Sequence, residues 1–121
     1  SKLILIDNLH DSKTLQAFYQ RAKLFVFPSV YEGFGLPVTE ALLSKTPVLT
    51  SNQSSLPEAG GPAPVYVSPY DIEAIAEGIT HTLCDTAARA KMIEAGFEYA
   101  RQKFDPRTLI TQVHDLYKQL L

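Results

Sequence analysis

A single cysteine, Cys84, leaves this 121-residue sequence without the means to form an internal disulfide or a cysteine-built metal centre. A reducing compartment is the default for such a chain, and Cys84 reads as a small buried hydrophobe. The three histidines, His10, His81 and His114, are scattered without ligand spacing and read as ordinary surface or core residues. Positive charge is not in excess either. Eleven Lys and Arg stand against thirteen Asp and Glu, for a net charge of −2, with no basic run to neutralise a phosphate backbone. Nucleic acid is therefore excluded as an expected partner. Long apolar runs are also missing. Leu3–Ile6 and Leu24–Phe27 fall far short of the roughly 20 residues a membrane-spanning helix needs. No signal-peptide pattern opens the sequence, so the expected location is cytoplasmic, with any anchor left to an upstream portion.

What is present is a globular composition. Hydrophobic residues make up 45% and charged residues 20%, which argues for a folded chain. The length suits one domain, or a piece of a larger protein, with a single core. Four short, apolar runs rich in β-branched residues read as strands: Lys2–Ile6, Lys23–Phe27, Pro47–Thr50 and Val65–Val67. Helical patterns fill most of the intervals. Asp11 is placed to cap a helix whose apolar face is Leu15, Phe18, Tyr19 and Ala22, and Pro37 to open another that runs to about Ser44. Alternating strand and helix implies parallel pairing through right-handed crossovers. The strands lack polar alternation and should be buried on both faces. The expected fold is α/β, a three-layer Rossmann-like parallel sheet with a helical C-terminal region.

In that C-terminal region Ser68 and Pro69 are read as N-cap and first residue of a helix carrying Ile72, Ile75, Ala76, Ile79 and Leu83 on one face. A second helix, from about Thr86 to Lys103, repeats Ile93, Phe97, Ala100 and Phe104. Asp105 and Pro106 start a third, lined by Leu109, Val113, Leu116 and Leu120. All three are expected to turn these faces to the core. Ser51–Pro64, rich in Ser, Pro and Gly, is the longest irregular stretch, and it follows a strand end that faces the ligand crevice in such folds.

The most informative segment is Glu32-Gly-Phe-Gly-Leu-Pro-Val-Thr-Glu40. Gly33 and Gly35 permit positive φ and close approach of a ligand to the main chain. With a helix starting at Pro37, the N–H groups of Val38 and Thr39 would join those of the glycine turn in a positive pole suited to phosphate. The two carboxylates flank this pole and can each accept from neighbouring hydroxyls. A diphosphate attached to polyhydroxylated groups, as in a nucleotide sugar, matches such a set of donors and acceptors.

With Phe27-Pro28-Ser29 before it, Pro47-Val48 after it, then Leu56-Pro57-Glu58 and Ser68-Pro69, this segment resembles the retaining glycosyltransferases of the GT-B fold. The likeness is to family 4, which includes glycogen synthases and mannosyltransferases, and it runs from about Leu3 to Tyr117. The resemblance implies that the chain is one partial domain, the C-terminal part of the nucleotide-sugar-binding half. Glu40 would hold the ribose hydroxyls of the donor. Glu32, the implied catalytic residue, would contact hydroxyls of the transferred sugar near the reacting carbon. Phe34, Gly35 and Leu36, beside Gly33, would present backbone amides to sugar and diphosphate, with Val38 and Thr39 on the nucleotide side. The implied reaction is metal-free transfer of a mannosyl or glucosyl group, in carbohydrate biosynthesis, with retention at the anomeric carbon. The implied partners are a nucleotide-sugar donor and an acceptor domain missing from this chain, and the full enzyme could associate peripherally with a membrane surface. An Arg and a Lys that neutralise the diphosphate would lie before Ser1, as would two central strands separating the Leu3 strand from the Phe25 strand. Near Lys45-Thr46 the family usually has a glycine, so the helix end is expected to differ slightly there. The chain alone is expected to be inactive. The last helix would cross to the missing domain and leave an apolar patch through which the fragment could dimerise.

Two other readings stay open at this stage. A retaining glycosidase would use Glu32 and Glu40 as acid and nucleophile, with carboxyl groups roughly 5–5.5 Å apart. A non-catalytic binding or assembly module would use Glu32 as a turn residue and Glu40 as a charge near a helix N-terminus. Tyr31 either edges a sugar pocket or packs. Asn52, Gln53, Ser54 and Ser55 are expected to shape their loop rather than touch a ligand, and Glu58 to anchor one.

Overall fold

The computed structural model describes residues 2–120. Its centre is a parallel sheet of three strands, β1 (Phe25–Phe27), β2 (Val48–Ser51) and β3 (Val65–Val67), in that spatial order. Phe25 lies opposite Val48 and Leu49 opposite Val65, so each crossover helix delivers the chain one strand further along the sheet. β2 is wholly buried. β1 and β3 are the edges, and Val26 of β1 is exposed.

Lys2–Ile6 forms no strand. Leu3 and Leu5 are 84% and 85% exposed, and no strand of residues 2–120 pairs with them. The reason is non-local. An apolar stretch becomes a strand only when a neighbour takes up its N–H and C=O groups, and no strand of residues 2–120 does so for Lys2–Ile6.

One face of the sheet is covered by α1 (Ser12–Arg21), α2 (Leu36–Leu43), α3 (Leu56–Gly60) and α5 (Thr86–Lys103). These helices share a core of Tyr19, Val38, Ala41, Leu42, Val48, Leu56, Ala59 and Ala100. The other face is covered by α4 (Ile72–Cys84). A Cβ at Gly78 would come within 2.6 Å of Leu49 Cδ1, so the missing side chain lets α4 approach the sheet. The expected three layers are present.

Local chemistry accounts for the helix ends. The Asp11 carboxylate accepts from the Thr14 N–H at 2.9 Å and starts α1 as expected. On the predicted face of α1, Tyr19 is buried and Leu15 half-buried, while Phe18 is half-exposed. α4 begins later than Ser68-Pro69 suggested. Asp71 is the cap, accepting from the Ala74 N–H at 2.9 Å, and Ser68-Pro69-Tyr70-Asp71 is a turn closed by Asp71 N–H to Ser68 O. Both sites carry legitimate capping residues, and the carboxylate is the one that reaches a free helix amide. α3 occupies the middle of the stretch read as irregular, because Leu56 and Ala59 are fully buried against the core. Cys84, expected inside, is exposed at the end of α4.

α2 closes with Thr46 N–H to Ala41 O and Lys45 N–H to Leu42 O, both 3.0 Å, and Lys45 has φ 59°. This is the six-to-one and five-to-two pattern that favours glycine at the left-handed position. Lys45 accepts the strain, about 1 kcal/mol, and its Nζ lies 4.7 Å from the centre of the Phe97 ring, a contact of similar size.

The last helix, α6 (Pro106–Leu120), starts where Asp105 and Pro106 indicated, with Asp105 accepting from the Arg107 N–H at 2.9 Å. It does not face the core. All of its residues are exposed, including Leu109, Val113, Leu116 and Leu120. Periodicity showed that α6 has an apolar face, but no element of residues 2–120 covers it.

Two phenols, Tyr19 buried and Tyr66 half-buried, make the fold sensitive to alkali. Tyr66 donates to Gly61 O at 2.6 Å, and burial, then the neighbouring Tyr99, pushes its pKa up to about 12. Tyr19 is likewise pushed up to about 12 by burial, then by the charge of Glu40 and the hydrogen bond to it. Near pH 10 the unfolded phenols ionise while the folded ones stay neutral, so the stability they contribute is intact below pH 10 and is lost between 10 and 12. The urea midpoint should therefore fall over that interval, and Tyr66→Phe should remove part of the fall. A midpoint independent of pH from 9 to 12 would contradict this.

Candidate functional site

β1 runs out through Pro28 and Ser29 into a turn that the loop after β2 holds from one side. Ser51 Oγ donates to Ser29 O at 2.5 Å. Ser54, at φ 57°, both donates to Glu32 O at 2.7 Å and accepts from the Glu32 N–H at 3.3 Å, and Ser55 Oγ donates to the same carbonyl at 3.0 Å. Ser51 thus fixes the main chain at Ser29, and Ser54 and Ser55 fix it at Glu32. Its side chain is left for other work: Oε1 accepts from Ser29 Oγ at 2.8 Å, and no other hydrogen bond to the carboxylate occurs among the described residues. The expectation that Ser54 and Ser55 shape the loop fits these contacts, and the structure adds that they shape the Glu32 turn as well.

Gly33 faces open space. Phe34 folds back with its ring edge-on to Phe104, centroids 5.4 Å apart. Gly35 needs to be glycine twice over. Its φ is 92°, and a Cβ there would stand 3.0 Å from both Ala59 Cβ and Leu56 Cδ2 of α3.

Gly35 is also the N-cap of α2, so the helix starts at Leu36 and Pro37 is its second residue, not its first. This corrects the expected positive pole. Gly35 O accepts from the N–H groups of both Val38 (3.0 Å) and Thr39 (3.3 Å), which are therefore not free. Val38 is fully buried in the core and Thr39 is 6% exposed, its hydroxyl unpartnered among the described residues. Within Glu32–Glu40, the amides without an acceptor among the described residues are those of Gly33, Phe34, Gly35 and Leu36. They are consecutive; Gly33, Phe34 and Leu36 are exposed, and Gly35 between them is buried.

Glu40 stands exposed one turn further along α2 and looks the other way, toward α1. Its Oε2 accepts from the Tyr19 hydroxyl at 3.2 Å. Together with Ser12, Leu15, Gln16, Tyr19, Leu43 and Ser44 it borders a cavity of about 270 Å³ between α1 and α2. Neither Glu32 nor Glu40 has a salt-bridge partner among the described residues. No three His, Cys, Asp or Glu residues cluster as a metal set there either.

The sequence segment therefore becomes two carboxylates with different neighbours, joined by a run of unpaired amides. Such a set accepts hydroxyl protons at its two ends and donates to an anion in the middle. Sequence reasoning did not find the Tyr19–Glu40 contact, which joins residues 21 positions apart on different helices.

The sequence model of the family described as Glycosyl transferases group 1 matches residues 2–99. O-antigen chain mannosyltransferase B of Escherichia coli is 41% identical over 106 residues, covering 88% of this chain and 28% of that protein. A glycogen synthase of Mycobacterium tuberculosis is 35% identical over 109 residues, again 88% of this chain and 26% of that protein. Among solved structures, a sucrose-phosphate synthase from Thermosynechococcus elongatus superposes with a TM-score of 0.79 at 33% identity, over 91% of this chain and 28% of that one. The chain thus spans about a quarter of the length of these three proteins. No helix among the described residues is long and apolar enough to cross a membrane. With the matching family model, the mannosyltransferase and glycogen synthase relatives and the shared fold, the chain belongs to the group 1 glycosyl transferases, as part of the C-terminal domain of a GT-B fold.

Proposed function

We propose that the Glu32–Glu40 segment holds the nucleoside diphosphate sugar donor of a retaining hexosyltransferase. The observation that carries this reading is the run of four unpaired amides, Gly33 to Leu36, between two carboxylates that neighbouring residues orient but do not neutralise. The amides donate to donor oxygens, the diphosphate above all. Glu40 accepts from the ribose hydroxyls over the cavity beside α1, and Glu32 accepts from hydroxyls of the hexose near the carbon that reacts. The buried Val38 and Thr39 support α2 beneath the site, with Thr39 on the side of the nucleotide.

In this reading no metal ion is required. The basic groups that neutralise the leaving diphosphate come from outside this chain, and so does the acceptor domain. The isolated chain is a partial domain without turnover. The hexose is mannosyl or glucosyl, in keeping with the relatives, and the reaction takes place in the cytoplasm, at the membrane surface where the full enzyme associates there. The exposed apolar face of α6 packs on the absent domain, and it leads the isolated chain to dimerise.

Isothermal titration of the chain with UDP and GDP tests the donor site. Binding should be weak for the chain as it stands, and Glu40→Ala should weaken it about tenfold or more, the scale of a lost charge-assisted hydrogen bond. Equal binding by both would remove the support for the reading.

A further inference from the structure

Glu40 is an exposed glutamate on a helix surface, and such a side chain ordinarily samples many rotamers in water. Here one of its oxygens is tied to a group that cannot follow it. Tyr19 is only 7% exposed and belongs to the core. Its ring meets Phe25 edge-on at 5.1 Å, and its carbonyl accepts from the buried Thr46 hydroxyl at 2.6 Å. The phenol is thus fixed by both ring and backbone, and its single proton is directed at Glu40 Oε2, 3.2 Å away. The other carboxylate oxygen has no partner among the described residues and remains available beside the cavity lined by Ser12, Gln16 and Ser44.

We propose that Tyr19 is a positioning residue, whose buried hydroxyl holds the Glu40 carboxylate in the orientation that accepts the ribose hydroxyls of a nucleoside diphosphate. This rests on the donor-site reading of Glu40. Ionisation of Tyr19 is suppressed by its burial and by Glu40, so the phenol stays a donor throughout the neutral range. A carboxylate held in advance loses less freedom when the ligand arrives, and that difference appears as affinity.

The test uses the protein that carries this chain, titrated with GDP or UDP and with the 2′-deoxy form of whichever binds. Tyr19→Phe keeps the ring contacts and removes one oxygen. It should weaken the ribonucleotide about threefold to tenfold and the 2′-deoxy nucleotide less, and it should cause no further loss in a Glu40→Ala background. Equal affinity of wild type and Tyr19→Phe overturns the proposal. So does an equal loss for both nucleotides or in both backgrounds, since a general structural defect would produce that. If the wild-type protein binds neither nucleotide, or if Glu40→Ala binds as well as wild type, the donor reading itself falls, a separate outcome. A second measurement leaves Tyr19 in place. In Glu40→Ala, one alkaline tyrosine titration followed by ultraviolet absorbance should move down from about 12; an unmoved titration overturns the coupling between the two residues.

Discussion

Replacing Glu32 with glutamine or alanine is expected to lower hexosyl transfer by the protein that carries this chain by about a hundredfold, while the melting temperature stays nearly unchanged. The structure separates the two effects. The turn is held through the main chain of Glu32, by Ser54 and Ser55, and these contacts survive any change of its side chain. The carboxylate gives up only one contact within the protein, the Ser29 hydroxyl. In the proposed role the carboxylate accepts hydroxyl protons of the hexose while positive charge builds on the sugar ring, so its charge matters most in the transition state. A charge-assisted hydrogen bond is worth about 1.5–3 kcal/mol, and its upper end corresponds to roughly a hundredfold in rate. The loss should fall mainly on kcat for Glu32 and mainly on donor affinity for Glu40, because only the first interaction strengthens during reaction. Steady-state kinetics of the two variants check this. Wild-type kcat in a folded Glu32→Gln protein would show that the side chain does not act on the reacting sugar.

The second large effect is on stability and comes from Gly61, at the end of α3. Its φ of 61° with ψ −144° lies where only glycine is unstrained, and an added Cβ would stand 2.5 Å from Cε2 and Cζ of Tyr99. The ring is not free to swing away. Its hydroxyl donates to Glu58 O at 2.6 Å, and its edge contact with Phe104 continues to Phe34 of the glycine turn. Backbone strain of about 1–3 kcal/mol and overpacking of similar size combine, so Gly61→Ala should cost about 3–5 kcal/mol in denaturant unfolding. Gly33→Ala is the control, since a Cβ at Gly33 meets nothing within 4 Å; it should cost under about 1 kcal/mol. A Gly61→Ala loss no larger than that of the control would mean that Tyr99 and α3 give way together.

Features that depend on a few neighbouring residues were legible before the structure. Three of the four strands, the Asp11 cap and the Pro106 start follow from side-chain stereochemistry and apolar, β-branched composition within one segment. The α4 start was not legible, because Ser68-Pro69 and Asp71 offer competing caps of equal local merit. α3 was hidden for a related reason. Pro57 and the surrounding Ser and Gly residues look like loop, and the burial of Leu56 that makes the helix worthwhile comes from residues elsewhere in the chain. At the candidate site, Gly35 was legible as a special backbone position. Which amides it leaves free was not, since that depends on where its carbonyl points.

By itself, the sequence determined the alternation of strand and helix, the glycine turn, and the two glutamates set eight positions apart around it. The tertiary structure decided that Ser54 and Ser55 hold the Glu32 turn, that Tyr19 reaches Glu40, that Lys2–Ile6 lies unpaired, and that α6 exposes its apolar face. Periodicity and dihedral preference act over a few residues and reveal which groups want partners. The identity of those partners depends on elements far apart in the chain, and it is settled only when the sheet and its helices pack.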